Sequence, residues 1–198
     1  MNYLAHVYLS GSNKCISIGN FIADHVKGKA YLNYPKPVQK GILLHRKIDL
    51  YSDNHPLFKK NVYLLFPEYR HYSRVIVDMF FDHFLASKWE SYHPDPLEVF
   101  CKQFFSMLKK NSKILPYKTK KILPFITKHN WFIAYRSLEG LESILYQMSE
   151  RTKFTSNMHL AISTLKNNYA DIDQDFQEFF KELRDFVRHE KTILLRIH

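Results

Sequence analysis

The chain has 198 residues, with Lys+Arg 29 against Asp+Glu 19, giving a net charge of +10, and it carries 11 His. Hydrophobic residues make up 45% and aromatics 16%, with only 5 Gly and 8 Pro, a balance that excludes disordered, collagen-like and linker-rich chains. The length fits one domain over 1–198.

Apolar periodicity predicts helix almost throughout, and Asn-Gly or Asp-Gly hairpin turns are absent. The expected fold is therefore all-α, a single-domain helical bundle. A short apolar helix is predicted over 2–9 and a second over 13–27, with Gly28 as its C-terminal stop. Pro35 and Pro37 open a helix near 38–52. His55-Pro56 starts the next helix, and Pro67 is expected to end it. The longest apolar helix of the first half covers 69–90. Pro94 and Pro96 introduce 97–111, Pro116 introduces 117–128, and 137–150 follows a corner at Trp131. From Met158 to Ile197 the chain reads as two amphipathic helices, with the mixed charges of Lys181 to Lys191 solvated.

Cys15 and Cys101 do not make a disulfide framework and read as small core residues in a reducing compartment. No basic leader with an apolar run opens the chain, and no stretch nears the ~18 apolar residues of a membrane span. A cytoplasmic location is expected. The basic balance calls for an acidic partner, whether nucleic acid, an anionic membrane surface or an acidic protein.

Ionisable groups inside apolar helices carry the functional signal, because an unpaired charge in a core is costly. Asp78 and Asp82 sit four apart within the apolar run Val75–Ala86, with His83 beside them. Like charges at this spacing repel, so an Arg, a protonated His or a metal ion should compensate. The plainer alternative is that one Asp caps a neighbouring helix. The same spacing recurs in Asn2/His6, Asn20/Asp24 and His45/Asp49, each pair projecting ligand-type groups from one helix face. Asp53 follows a turn after Asp49, as a further carboxylate or as an N-cap of the next helix. Imidazoles with carboxylates, without clustered Cys, suit Mn, Fe or Zn, and a helix bundle is a common frame for such a site. Arg46 adjoins His45 and could face a phosphate with its planar fork, or form a surface pair. No nucleophile elbow, dinucleotide fingerprint, P-loop or His-Glu-x-x-His occurs.

Several ordered motifs carry a resemblance. They are Asn2-Tyr3-Leu4-Ala5-His6, Gly19-Asn20-Phe21-Ile22-Ala23-Asp24, Gly41-x-x-x-His45-Arg46-x-Ile48-Asp49 with Ser52-Asp53, and Asp78-x-x-x-Asp82-His83-Phe84-Leu85. Trp131-x-x-x-Tyr135-Arg136 and Met148-x-x-Arg151 continue them. Together they resemble the acyl carrier protein phosphodiesterase family. The resemblance implies hydrolysis of the 4′-phosphopantetheine phosphodiester of holo-acyl carrier protein, an HD-phosphohydrolase-like helical fold, and manganese as the metal. HD enzymes carry adjacent His then Asp. Here only the reversed order occurs, in Asp24-His25 and Asp82-His83, so the ligands follow the family's own motifs.

On that basis the expected metal ligands are His6, Asp24, His45, Asp82 and His83. Asp24, Arg46, Asp49 and Asp78 are the expected catalytic groups, and Arg136 and Arg151 are expected to hold substrate. The basic charge would steer the enzyme toward an acidic carrier, with no nucleic acid partner and no membrane span expected. Two alternatives remain at this point: the same metal site acting on a nucleotide or other small phosphodiester, and a non-enzymatic basic module binding nucleic acid.

Overall fold

A computed structural model describes residues 2–152 and 155–196. The described residues form eleven α-helices joined by short turns, with no strand among them, so the all-α expectation holds. They are α1 (Tyr3–Ser10), α2 (Lys14–Ile22), α3 (Lys36–Asn54), α4 (Pro56–Tyr69), α5 (Ser73–Ser87) and α6 (Leu97–Lys110). Then follow α7 (Tyr117–Lys128), α8 (Trp131–Ala134), α9 (Leu138–Ser149), α10 (Ala161–Asn167) and α11 (Tyr169–Arg196). Ile197, the predicted end of the last helix, lies outside the described residues.

Local sequence explains the starts and stops. The Asn13 side chain accepts from the N–H groups of Cys15 and Ile16 at 3.1 and 3.2 Å, capping α2. This helix ends at Ile22, short of the predicted 27, and tightens into a 3-10 turn over Ala23–His25. Gly28 is therefore not its stop; at φ 51 it opens the next turn, in a backbone region glycine enters freely. Pro67 does not end α4, which runs two residues further to Tyr69. The carbonyl that Pro67 leaves without its helix donor belongs to Tyr63, a residue 71% exposed on the surface side of the helix. Asp53 is not the N-cap of α4: α3 runs on to Asn54, and His55 takes that role through Nδ1.

Helix α5 lies at the centre, with Ile76, Val77, Met79, Phe80, Phe81, Phe84 and Leu85 all at 0% exposure. The long α11 lays Phe176 and Phe179 against it, at ring-centroid distances of 5.7 Å to Phe84 and 5.0 Å to Phe81. Each such buried aromatic contributes about 1.5–3 kcal/mol. The far end of α11 is not simply solvated. Glu190 pairs with Lys47 of α3 at 2.6 Å, and Lys191 donates to the Ser10 carbonyl of α1 at 2.9 Å. No described helix is long and apolar enough to cross a membrane.

Helices α2 and α3 cross at Gly19 and Gly41. A Cβ on Gly19 would stand 2.1 Å from the Val38 carbonyl oxygen, and one on Gly41 would stand 2.3 Å from that of Ile16. Only bare backbone permits this approach. It sets the separation of Asn20 from His45, the residue after one glycine and the residue four after the other.

Candidate metal centre

Three helices deliver the cluster: His6 from α1, Asn20 from α2, and His45 with Asp49, one turn apart, from α3. His6, His45 and Asn20 are buried, at 2%, 5% and 0% exposure. The two imidazole rings stack, with centroids 4.0 Å apart. Both turn Nδ1 to one oxygen, Asn20 Oδ1, at 2.8 Å from His6 and 3.2 Å from His45. The Asn20 amide cannot be reversed, because its Nδ2 donates to the His6 carbonyl at 2.9 Å and to Ser10 Oγ at 3.0 Å. The amide oxygen therefore holds a proton on each Nδ1 and fixes the tautomer, as partners of metal-binding histidines do.

The opposite nitrogens meet carboxylates. His6 Nε2 lies 3.1 Å from Asp49 Oδ1, and His45 Nε2 lies 2.9 Å from Asp49 Oδ2 and 3.3 Å from Asp24 Oδ1. Burial and the neighbouring His45 push the His6 pKa down to about 4, so its ring is neutral with the Nε2 lone pair on the Asp49 side. Burial also works against charge on His45, but Asp24 and Asp49 outweigh it and raise its pKa to about 9. Burial would raise both carboxyls; the hydrogen bonds from the charged His45 hold Asp49 far below and Asp24 below the usual carboxylate range.

One ring nitrogen from each histidine and one oxygen of Asp49 lie within 4.8 Å of one another. Two preoriented imidazole nitrogens facing one carboxylate, with a second carboxylate alongside, form a donor set that fits a divalent cation. The cluster opens into a cavity of about 390 Å³ whose wall includes Asp24, His45, Asp49, Asp53, Arg74 and Asp78. Arg74 crosses from α5 to pair with Asp53 at 2.5 Å.

The structure thus brings His6, Asp24, His45 and Asp49 together, with Asp78 on the same cavity, where burial raises its carboxyl pKa. It does not bring Asp82 and His83 there. Asp82, at 0% exposure, accepts from the Leu4 and Ala5 N–H groups at 2.9 and 3.3 Å, capping the start of α1. His83 faces the Tyr135 carbonyl at 2.7 Å and the Tyr169 hydroxyl at 2.9 Å.

The arginines are placed away from the cluster as well. Arg46 donates to the Val26 and Gly28 carbonyls at 2.9 and 2.8 Å and lies over Tyr31, holding the turn that follows Asp24. Arg136 pairs with Glu98 at 2.7 Å on the surface, and Arg151 packs over Phe125 and Trp131. Asn20, singled out only through its spacing from Asp24, was not among the expected ligands, and Arg74 was not singled out at all. For Asn20 the signal was present, an amide inside an otherwise apolar helix. For Arg74 the sequence offered none.

The family model described as acyl carrier protein phosphodiesterase matches residues 1–183. The chain is 30% identical over 181 residues to a protein of that name from Photorhabdus laumondii, covering 91% of each chain. It is 27% identical over 184 residues to one from Serratia proteamaculans, covering 92% of this chain and 95% of the relative. With one from Yersinia pestis the identity is 25% over 192 residues, covering 96% and 100%. No solved structure is a significant match. With the match running through every helix that supplies the cluster, the chain belongs to the acyl carrier protein phosphodiesterase family.

Proposed function

We propose that this protein is a metal-dependent phosphodiesterase that releases 4′-phosphopantetheine from the serine of holo-acyl carrier protein, leaving the apo form. Family membership supports the substrate. The observation that carries the metal dependence is the pair of imidazoles locked by a single amide oxygen, with both Nε2 atoms turned to Asp49. The proposed place of action is the cytoplasm.

His6, His45 and Asp49 would hold the ion, with Asp24 beside them, and manganese fits this nitrogen and oxygen donor set. When bound, such an ion offsets charge on the phosphodiester and acidifies a water for in-line attack. Asn20 keeps both rings in the ligating tautomer. Arg74, exposed at the cavity wall, can exchange part of its pairing with Asp53 for a phosphate oxygen. Asp78, raised by burial, can carry a proton to the departing serine oxygen while the water oxygen bonds to phosphorus.

The test is a mass measurement on holo-carrier incubated with the Mn²⁺-loaded protein. Loss of the prosthetic-group mass, abolished by a chelator and by His45→Ala, is expected. Turnover of bis(p-nitrophenyl) phosphate with holo-carrier untouched would move the reading to a small phosphodiester.

A further inference from the structure

The charge of this chain is not spread evenly. Residues 99–138 hold eight Lys and one Arg and no Asp or Glu. The other 158 residues carry 20 basic and 19 acidic side chains, so nearly all of the net +10 lies in this one segment. It covers α6 after its first two residues, α7 and α8. Its eight lysines are all exposed, and none forms an ion pair among the described residues, whereas Arg136 is engaged by Glu98. Exposed aromatics are interleaved with them: Tyr117 is 70% exposed, beneath Lys121 at 4.7 Å, and Phe125 is 47% exposed.

This surface borders the candidate centre. Thr119, at the first turn of α7, bonds His25 at 2.8 Å, and His25 follows Asp24 directly. Further along, Phe125 carries the guanidinium of Arg151, one turn beyond Met148 on the cavity wall. The cavity itself is lined by Asp24, Asp49, Asp53 and Asp78, a wall that repels an anionic substrate. Attraction must come from beside it.

We infer that the lysine-rich surface of α7 is the docking surface for the acidic carrier protein, which it holds so that the prosthetic group enters the neighbouring cavity. This rests on the proposed function. Uncompensated lysines alone would suit RNA or an anionic membrane. The contact with the Asp24 turn favours a macromolecule whose appended phosphodiester must reach that turn. Lysine, as a mobile point charge, gives attraction and orientation over an area with little demand on geometry.

The test compares steady-state kinetics of the Mn²⁺-loaded full chain on holo-carrier and on bis(p-nitrophenyl) phosphate. The variants are the triple Lys118→Glu/Lys120→Glu/Lys121→Glu and a control, Lys166→Glu/Lys181→Glu/Arg196→Glu, with the same change in net charge. Expected for the α7 triple is a rise of about tenfold or more in KM for holo-carrier at low salt. Its kcat and its turnover of the small phosphodiester should stay within threefold of wild type, and the salt dependence of KM should be lost. An unchanged KM, or an equal rise in the control, overturns the docking surface while leaving the phosphodiesterase reading intact. Loss of binding to tRNA or to phosphatidylglycerol vesicles with KM unchanged also overturns it. A wild-type protein inert on holo-carrier sinks the reading and the docking surface together.

Discussion

Asn20→Ala separates the metal centre from an ordinary polar core. In the native protein one amide oxygen accepts from two buried imidazoles, at 2.8 and 3.2 Å, and the amide nitrogen donates twice. Truncation leaves the two Nδ1–H donors without an acceptor, at about 1–3 kcal/mol each, so about 2–6 kcal/mol in total. Water entering the vacated space brings the loss to the lower half of that range. The second consequence is tautomeric. With no acceptor at Nδ1, the His6 proton can move to Nε2 and bond Asp49 across the existing 3.1 Å, competing with a cation for the same atoms. Metal affinity should therefore fall about 10–100-fold. Urea unfolding of the metal-free protein gives the first number, and calorimetric titration with Mn²⁺ gives the second. A folded variant with metal affinity within twofold of wild type would refute the role assigned to the amide.

Other substitutions and conditions read the same structure. Asp82 has its pKa raised by burial from 3.8 to about 7, opposed by its backbone hydrogen bonds, so folding binds a proton between those values. Its contribution is most favourable below 3.8 and falls as pH rises to about 7, by at most about 4 kcal/mol. Asp82→Asn should flatten that slope in urea-unfolding scans, stabilise the protein by about 1–3 kcal/mol at pH 8 after losing one cap bond, and leave metal content unchanged. Gly41→Ala must displace the Ile16 backbone, costing about 3 kcal/mol or more in the urea midpoint and weakening metal binding with it. His45 titrates near 9 in the metal-free protein because Asp24 and Asp49 outweigh its burial, so metal binding at pH 7 should release about one proton. Calorimetry in buffers of differing ionisation enthalpy reads this directly. In the metal-free protein His45 stabilises the fold fully below 6.5, and that support is lost as pH rises through about 9.

Helix spacing made much of the centre legible. His45 and Asp49 share a face of α3 because four residues make about one turn, and an apolar setting marks His6 and Asn20 as buried. The same signal marked Asp82 and His83, yet they serve a helix start and a carbonyl. Spacing tells which groups share a face, while the crossing of helices decides what that face meets. That crossing depends on Gly19 and Gly41, whose importance comes from missing atoms and leaves no trace in polarity. Arg46 sits beside His45 in sequence but points a different way from it, as adjacent helix positions do. Arg74 reaches the cavity only because α5 packs against α4 and α1, which carries its side chain to Asp53 of α3. Helix content was read well because periodicity is local. Helix ends were read less well where Pro67 fell near an exposed end of α4 or where a 3-10 turn replaced the last turn of α2.

Anomalous diffraction from crystals soaked in Mn²⁺ tests the central claim most directly. The account predicts a peak within bonding distance of His6 Nε2, His45 Nε2 and a carboxylate oxygen of Asp49, absent in His45→Ala. A peak at Asp82 and His83, or no ordered metal in an active crystal, would contradict it.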